Sequence, residues 1–322
     1  MLLGLDTSSY QLAAGLGEWR PHYSPPMRLQ LFLRKAAELS LAGVAISDLR
    51  LLEKGDYGYL SSLRRAAEEA GLFLQLTYAG PRIDHLQDTI RAADALGCKM
   101  VCFHPEFERP ASAESMQARL EELSDLLAEA LPVAERYFIH IALASSRRLT
   151  AKEMLHLFQA ADSELLGLCL DPASALSVLE DPLEWAQILG PHTFCLRLSD
   201  YQILFAPEGG ELFSCPLGEG IVDIPGLLEA LCRASPEAHL LLTTPSELLS
   251  LPFLDEDFLA RLHHLRPTQL ARMVRLVRER ALKEPPLLLQ QADLPEDEIL
   301  AAEDERFQQS LEWVRARLVE PQ

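Results

Sequence analysis

The sequence predicts an α/β chain folded as a (β/α)8 barrel with a C-terminal helical extension. Three observations carry this: eight short apolar runs, segments of helical period between them, and a change of pattern after Thr244. The runs are Leu2 to Thr7, Gly43 to Ser47, Phe73 to Tyr78, Met100 to His104, Phe138 to Ala144, Leu166 to Leu170, Thr193 to Leu198 and His239 to Thr244. Several are nearly continuous in Val, Ile, Leu, Phe and Cys, as expected of parallel strands covered on both faces.

Between the runs, Tyr59 to Ala70 keeps Leu60, Leu63, Ala66, Ala67 and Ala70 on one face of a 3.6-residue period, and Gly71 ends it. Ile90 to Leu96 followed by Gly97 repeats the same grammar, with glycine free to take the left-handed cap. In the pair Asp84-His85 at the start of that helix, Asp84 is read as the N-cap. A doubly wound sheet would give a similar string, but Asp6-Thr7-Ser8-Ser9-Tyr10 follows the first run in place of a glycine-rich dinucleotide turn. After Thr244, helices are expected over Asp257 to Leu282, broken near Pro267, and over Glu303 to Leu318, with Phe307, Leu311, Val314 and Leu318 on one side. The division is therefore a barrel over 1–250 and a helical extension over 251–322 packed on it.

At 322 residues, one barrel plus an extension fits the length, and 48% hydrophobic with 24% charged residues predicts a globular chain with a sizeable core. The net charge of −19 repels phosphate backbones and anionic lipid, so neither nucleic acid nor a membrane is expected as a partner. The late acidic cluster of Glu296, Asp297, Glu298, Glu303, Asp304 and Glu305 reads as a solvated face or linker. The N-terminal residues show no signal peptide or span, which makes the cytosol the expected location. None of the six cysteines forms a CxxC pair, and Cys102, Cys169 and Cys195 lie inside apolar runs, so buried free thiols are expected. The HExxH, Walker and kinase patterns are missing, and no histidine–acid partner makes Ser8 or Ser9 a nucleophile.

Working groups of such barrels stand at the carboxyl ends of the strands. That rule selects His104 and Glu106 after the fourth run, Asp171 after the sixth, Arg197 and Asp200 around the seventh, and Glu219 in the loop that follows. His104 has three readings: a metal ligand, an acid–base group or a hydrogen-bonded barrel histidine. Mid-strand His140 is read as structural, and Arg147 and Arg148 either as surface charges or as groups reaching an anion at the mouth.

Gly167-Leu168-Cys169-Leu170-Asp171 resembles the strand-six metal motif of the sugar phosphate isomerase/epimerase superfamily, the xylose isomerase-like TIM barrels. Leu198-Ser199-Asp200-Tyr201 is similar to its strand-seven ending, and Leu217-Gly218-Glu219-Gly220-Ile221-Val222-Asp223 to its LGEG loop. Val101-Cys102-Phe103-His104-Pro105 resembles a strand-four ending shared with the AP endonucleases of that superfamily. The likeness covers about residues 1–250, and the closing helix with Phe307, Ser310, Leu311 and Arg315 resembles the one that ends many family chains.

The resemblance implies one divalent metal such as Mn, Co, Zn or Mg, held by a glutamate, an aspartate, a histidine and a glutamate after strands five to eight. Carried across, those positions fall on Ala144, Asp171, Arg197 and Thr243, so the ligand set is not retained and no metal cofactor is expected. A guanidinium keeps its charge and repels a cation, leaving Arg197 either to pair with Asp171 or to bind a phosphate or carboxylate. The functional expectation is an isomerase, epimerase or lyase acting on a small sugar, sugar phosphate or sugar-like polyol. Asp171 and His104 would be its proton-handling residues, and Arg197, Asp200, Glu219 and Glu106 its substrate contacts. The other expectation is a barrel without catalysis that binds a ligand or serves as a scaffold subunit. A homo-oligomer is compatible with both, and repair chemistry is excluded by the missing ligands and the charge.

Overall fold

The computed structural model describes residues 1–16, 19, 21–52 and 57–318. The barrel half of the chain runs β1 (Leu3–Asp6), α1 (Leu29–Glu38), β2 (Gly43–Ile46), α2 (Tyr57–Glu69), β3 (Phe73–Ala79), α3 (Ile83–Leu96), β4 (Met100–His104), α4 (Ala113–Tyr137), β5 (His140–Leu143), α5 (Ala151–Ala161) and β6 (Leu166–Leu170). It continues through α6 (Pro172–Ser177), α7 (Pro182–Leu189), β7 (Thr193–Leu198), β8 (Asp200–Ala206), β9 (Gly209–Cys215), α8 (Ile224–Ala234), β10 (His239–Leu242) and β11 (Leu248–Leu251). Three helices follow: α9 (Glu256–Arg261), α10 (Pro267–Arg280) and α11 (Glu296–Leu318). No helix among the described residues is long and apolar enough to cross a membrane.

The eight runs read from the sequence are the eight parallel strands of a closed barrel, ordered β1-β10-β7-β6-β5-β4-β3-β2. Every second residue of a strand faces the interior. The inward groups stack in layers: Ala45, Cys102, Ala142, Cys169, Cys195 and Leu241 make an apolar plug at mid-height, over Phe73, Met100 and Phe194. Glycine is required beside Phe73, since a Cβ on Gly43 would stand 2.3 Å from its ring. The polar positions two residues further along, at the carboxyl ends, are thereby carried on a rigid base.

One element is unforeseen and two expectations need correction. First, residues 200–215 form a hairpin, β8–β9, which β11 joins to make a separate antiparallel sheet. Second, α3 takes Arg82 as its N-cap, while Asp84 lies in the first turn and pairs with the Arg82 guanidinium. Third, the acidic cluster is not a linker: all six residues belong to α11, which starts at Glu296, seven positions before the expected Glu303, and only Asp297, Glu298 and Glu305 form an exposed, solvated face of it. Glu303 is buried and accepts from the N–H groups of Leu12 and Ala13, and Asp304 pairs with Lys35 and Tyr10. These contacts, with buried Phe307, Leu311 and Val314, seat the closing helix on the barrel. The Leu318 side chain lies outside the described residues.

Candidate functional site at the carboxyl end of the barrel

Asp6, His104, Asp171 and Arg197 come from the ends of β1, β4, β6 and β7, above the apolar plug. The Arg197 guanidinium is tied to β1: its Nη2 stands 3.6 Å from Asp6 Oδ2 and donates to Ser8 Oγ at 3.3 Å. The internal partner is therefore Asp6, where the sequence had offered Asp171, because β10 alone separates β7 from β1 and the long arginine spans that gap. Asp171 acts on Arg197 through its charge, while its Oδ1 accepts from Ala173 N at 3.0 Å and caps α6. Arg197 Nε is buried and has no partner among the described residues, which leaves the guanidinium with a donor to offer.

A second cation comes from the β5–α5 loop. Arg147 Nη2 meets Glu247 Oε2 at 2.8 Å, and Tyr201 donates to Glu247 Oε1 at 2.8 Å. Ser146 and Arg147 are consecutive non-glycine residues in the left-handed region, with φ of 52° and 63°. Such conformations cost about 1 kcal/mol or more each, and they cluster where function fixes the backbone. Here they turn the arginine toward the barrel end, beside Ala144, where the resemblance implies a glutamate.

The electrostatics follow from burial and these two guanidinium groups. Burial pushes the Asp171 carboxyl up, and Arg197 and Arg147 oppose it. Burial also lowers the His104 imidazole to about 4, helped by the same two arginines, so the ring is neutral at physiological pH. Its Nε2 lies 3.4 Å from the thiol sulfur of Cys102, one of three buried free cysteines beneath the site. Burial works against the charge on Arg197, but Asp6 and Asp171 outweigh it and keep the guanidinium protonated.

The other three sequence candidates lie apart from this cluster in their contacts. Asp200 is buried, and its carboxylate accepts from the N–H groups of Tyr201, Gly218, Gly220 and Val222 at 2.9–3.0 Å. It fastens the LGEG loop, and a Cβ on Gly220 would stand 2.1 Å from Asp200 Oδ1. Gly218 has φ +88°, and a Cβ there would meet the Trp313 indole at 2.0 Å, so the glycines of this motif serve packing. Glu219 is exposed at the tip of the loop. Glu106 is exposed too and lines a cavity of about 150 Å³ with Phe103, Phe107 and Arg119, against α4. Asp6 and Glu247 were missed by sequence reasoning. Asp6 was accessible to the strand-end rule, whereas Glu247 follows the last strand in a loop without a motif.

The metal site of the resembled family can be tested on these residues. Ala144 and Thr243 offer no anionic donor, and Thr243 Oγ1 is bound to Leu241 O at 2.9 Å. Arg197 brings a positive charge to the histidine position. Among the described residues, no three His, Cys, Asp or Glu side chains are grouped so as to hold an ion. The side chains at these four positions do not fit the four-ligand site, since they offer a divalent ion one carboxylate, Asp171, and a guanidinium.

Comparison with known proteins gives the same fold. The chain is 27% identical over 235 residues to 3-oxo-isoapionate decarboxylase of Pectobacterium atrosepticum, covering 70% of this chain and 79% of that one. A D-tagatose 3-epimerase-like protein superposes with a TM-score of 0.59 at 16% identity, over 87% of this chain and 99% of that chain. The IOLI protein, solved with a bound zinc atom, also gives 0.59 at 14% identity, over 87% and 97%. The xylose isomerase-like TIM barrel family model matches residues 33–266, and the chain belongs to that family.

Proposed function

We propose that the protein is an isomerase, epimerase or lyase acting on a small sugar acid, sugar phosphate or sugar-like polyol at the carboxyl end of its barrel, without the family's divalent ion. The observation that carries this reading is the fixed guanidinium of Arg197 between Asp6 and Asp171, with one buried N–H unused. An arginine placed there gives a permanent positive charge where an enediolate or carboxylate oxygen would develop negative charge. Asp171, a buried carboxylate, and His104, a neutral imidazole, are the groups able to take and return a proton beside a carbonyl. Asp200 and Glu219 are given the task of holding and presenting the LGEG loop, and Glu106 a place at the rim. The decarboxylase relative acts, by its name, on an oxidised sugar acid, and the structural neighbours include sugar epimerases; both support an anionic or polyol ligand.

Incubating the protein with sugar acids and ketose phosphates in D2O tests this, because proton abstraction next to a carbonyl introduces deuterium that NMR detects. Exchange in the wild type that is lost in Asp171→Asn supports the reading. The altered metal positions favour one other reading, a binding protein without turnover. Saturable binding of a sugar acid with no exchange would establish that one, and binding of none of these compounds would sink both.

A further inference from the structure

Beside the barrel mouth lies a groove of about 440 Å³ whose wall includes Arg109, Arg147, Arg148 and Arg261. We infer that this groove is an anion subsite for a phosphate monoester, the distal group of the ligand whose reacting end sits at Asp171 and His104. For that ligand assignment the inference rests on the function proposed above.

The groove is built around one buried ion pair. Arg109 and Glu153 are 8% and 7% exposed in their side chains and meet through two bonds of 2.8 Å. The same guanidinium donates to two main-chain carbonyls, those of Arg148 and of Arg261, the latter at 2.8 Å. One buried cation thus fixes the β5–α5 loop and the end of α9 against each other, and with them the bases of two further arginines. Glu153 is held in turn by the Thr150 capping box on α5.

The two arginines so placed have no carboxylate within ion-pair distance among the described residues. Arg148 makes a hydrogen bond from Nη1 to Ser146 O at 2.7 Å, and the Arg261 guanidinium makes none among the described residues. Glu108 also lines the groove, without an ion pair among the described residues. In a chain of net charge −19, guanidinium groups left unpaired along one wall cannot be ascribed to a generally basic surface. Paired planar forks suit a phosphate dianion, which accepts several charge-assisted bonds at once. Arg147 joins the groove to the mouth, because it lines the former and bonds Glu247 in the latter.

The test uses inorganic phosphate as probe, by calorimetry and thermal shift at constant ionic strength. Arg148→Ala with Arg261→Ala is the variant, and the hub survives in it because Arg109 bonds their backbone oxygens. Arg64→Ala with Arg91→Ala, two helix-surface positions, removes the same charge elsewhere. We expect saturable stabilisation by phosphate in the wild type and the Arg64/Arg91 control, weakened roughly ten- to hundredfold in the Arg148/Arg261 variant. Equal phosphate affinity in all three proteins, or no phosphate binding at all, overturns the subsite. Deuterium exchange on an unphosphorylated sugar acid reads the mouth separately. Exchange without phosphate binding removes the groove alone, whereas Arg148/Arg261-dependent phosphate binding without exchange upholds the groove and removes the proposed reaction.

Discussion

Arg197 on the seventh barrel strand and Asp6 on the first face each other across the barrel end, 3.6 Å apart, with Asp6 4% exposed and the arginine 18%. The pair puts a guanidinium inside the protein at the position where the resemblance implies a histidine ligand. Its geometry is loose for an ion pair, and one buried guanidinium N–H is unmatched among the described residues, so an oxygen-rich ligand has something to complete.

Removing that charge strands two carboxylates. Arg197→Ala leaves buried Asp6 with the Ser8 N–H and hydroxyl, and buried Asp171 with the Ala173 N–H and the charge of Arg147, and breaking such a buried pair costs about 3–5 kcal/mol. Urea denaturation should show a loss of this order, and Arg197→Lys, which keeps the charge without the fork, should lose less. An Arg197→Ala protein as stable as the wild type would show the interaction to be of no account.

The depressed imidazole of His104 makes a prediction about acid. Its folded value of about 4 lies below the ordinary value of 6.5, so the unfolded chain takes up a proton first as pH falls. The stability tied to a neutral His104 is fully present above about 6.5 and lost by about pH 4, by roughly 3 kcal/mol. His104→Asn should therefore lose less stability than the wild type between pH 7 and pH 4. Glu303, pushed by burial up to about 7, has the opposite sign: its contribution is present below the unfolded value and declines as pH rises through 7. It is common to both proteins and cancels in the difference. A His104 ring that titrates near 6.5 by NMR would contradict the burial argument.

Asp200 tests the loop. Four backbone N–H groups lose their acceptor in Asp200→Ala, which should cost about 3 kcal/mol or more and expose residues 217–222 to rapid amide exchange. Gly220→Ala, whose Cβ would collide with the same carboxylate, should act in the same direction. Normal protection of the loop in both variants would remove Asp200 as its anchor.

Much of this was legible in the chain. Buried parallel strands read as unbroken apolar runs, and eight of them at regular spacing have few ways to close, so all eight barrel strands were placed. The β8–β9 hairpin was missed although its signal is present: Ile203 to Phe205 and Leu212 to Phe213 are apolar stretches on either side of Pro207-Glu208-Gly209. The two motifs that flank it, at Asp200 and at the LGEG loop, drew the reading past the segment between them. Asp171, His104 and Arg197 were found because strand ends carry chemistry. The partnership of Arg197 with Asp6 was not, since it depends on the strand order at closure, which no local pattern encodes. The left-handed turn at Ser146 and Arg147 is likewise invisible, as neither residue type announces it.

The most direct measurement is the metal content of the purified protein by elemental analysis, after exposure to Mn, Co, Zn and Mg followed by gel filtration. A guanidinium-centred site predicts no stoichiometric ion and no thermal shift with any of the four. One tightly held ion per chain, released by Asp171→Ala, would contradict it.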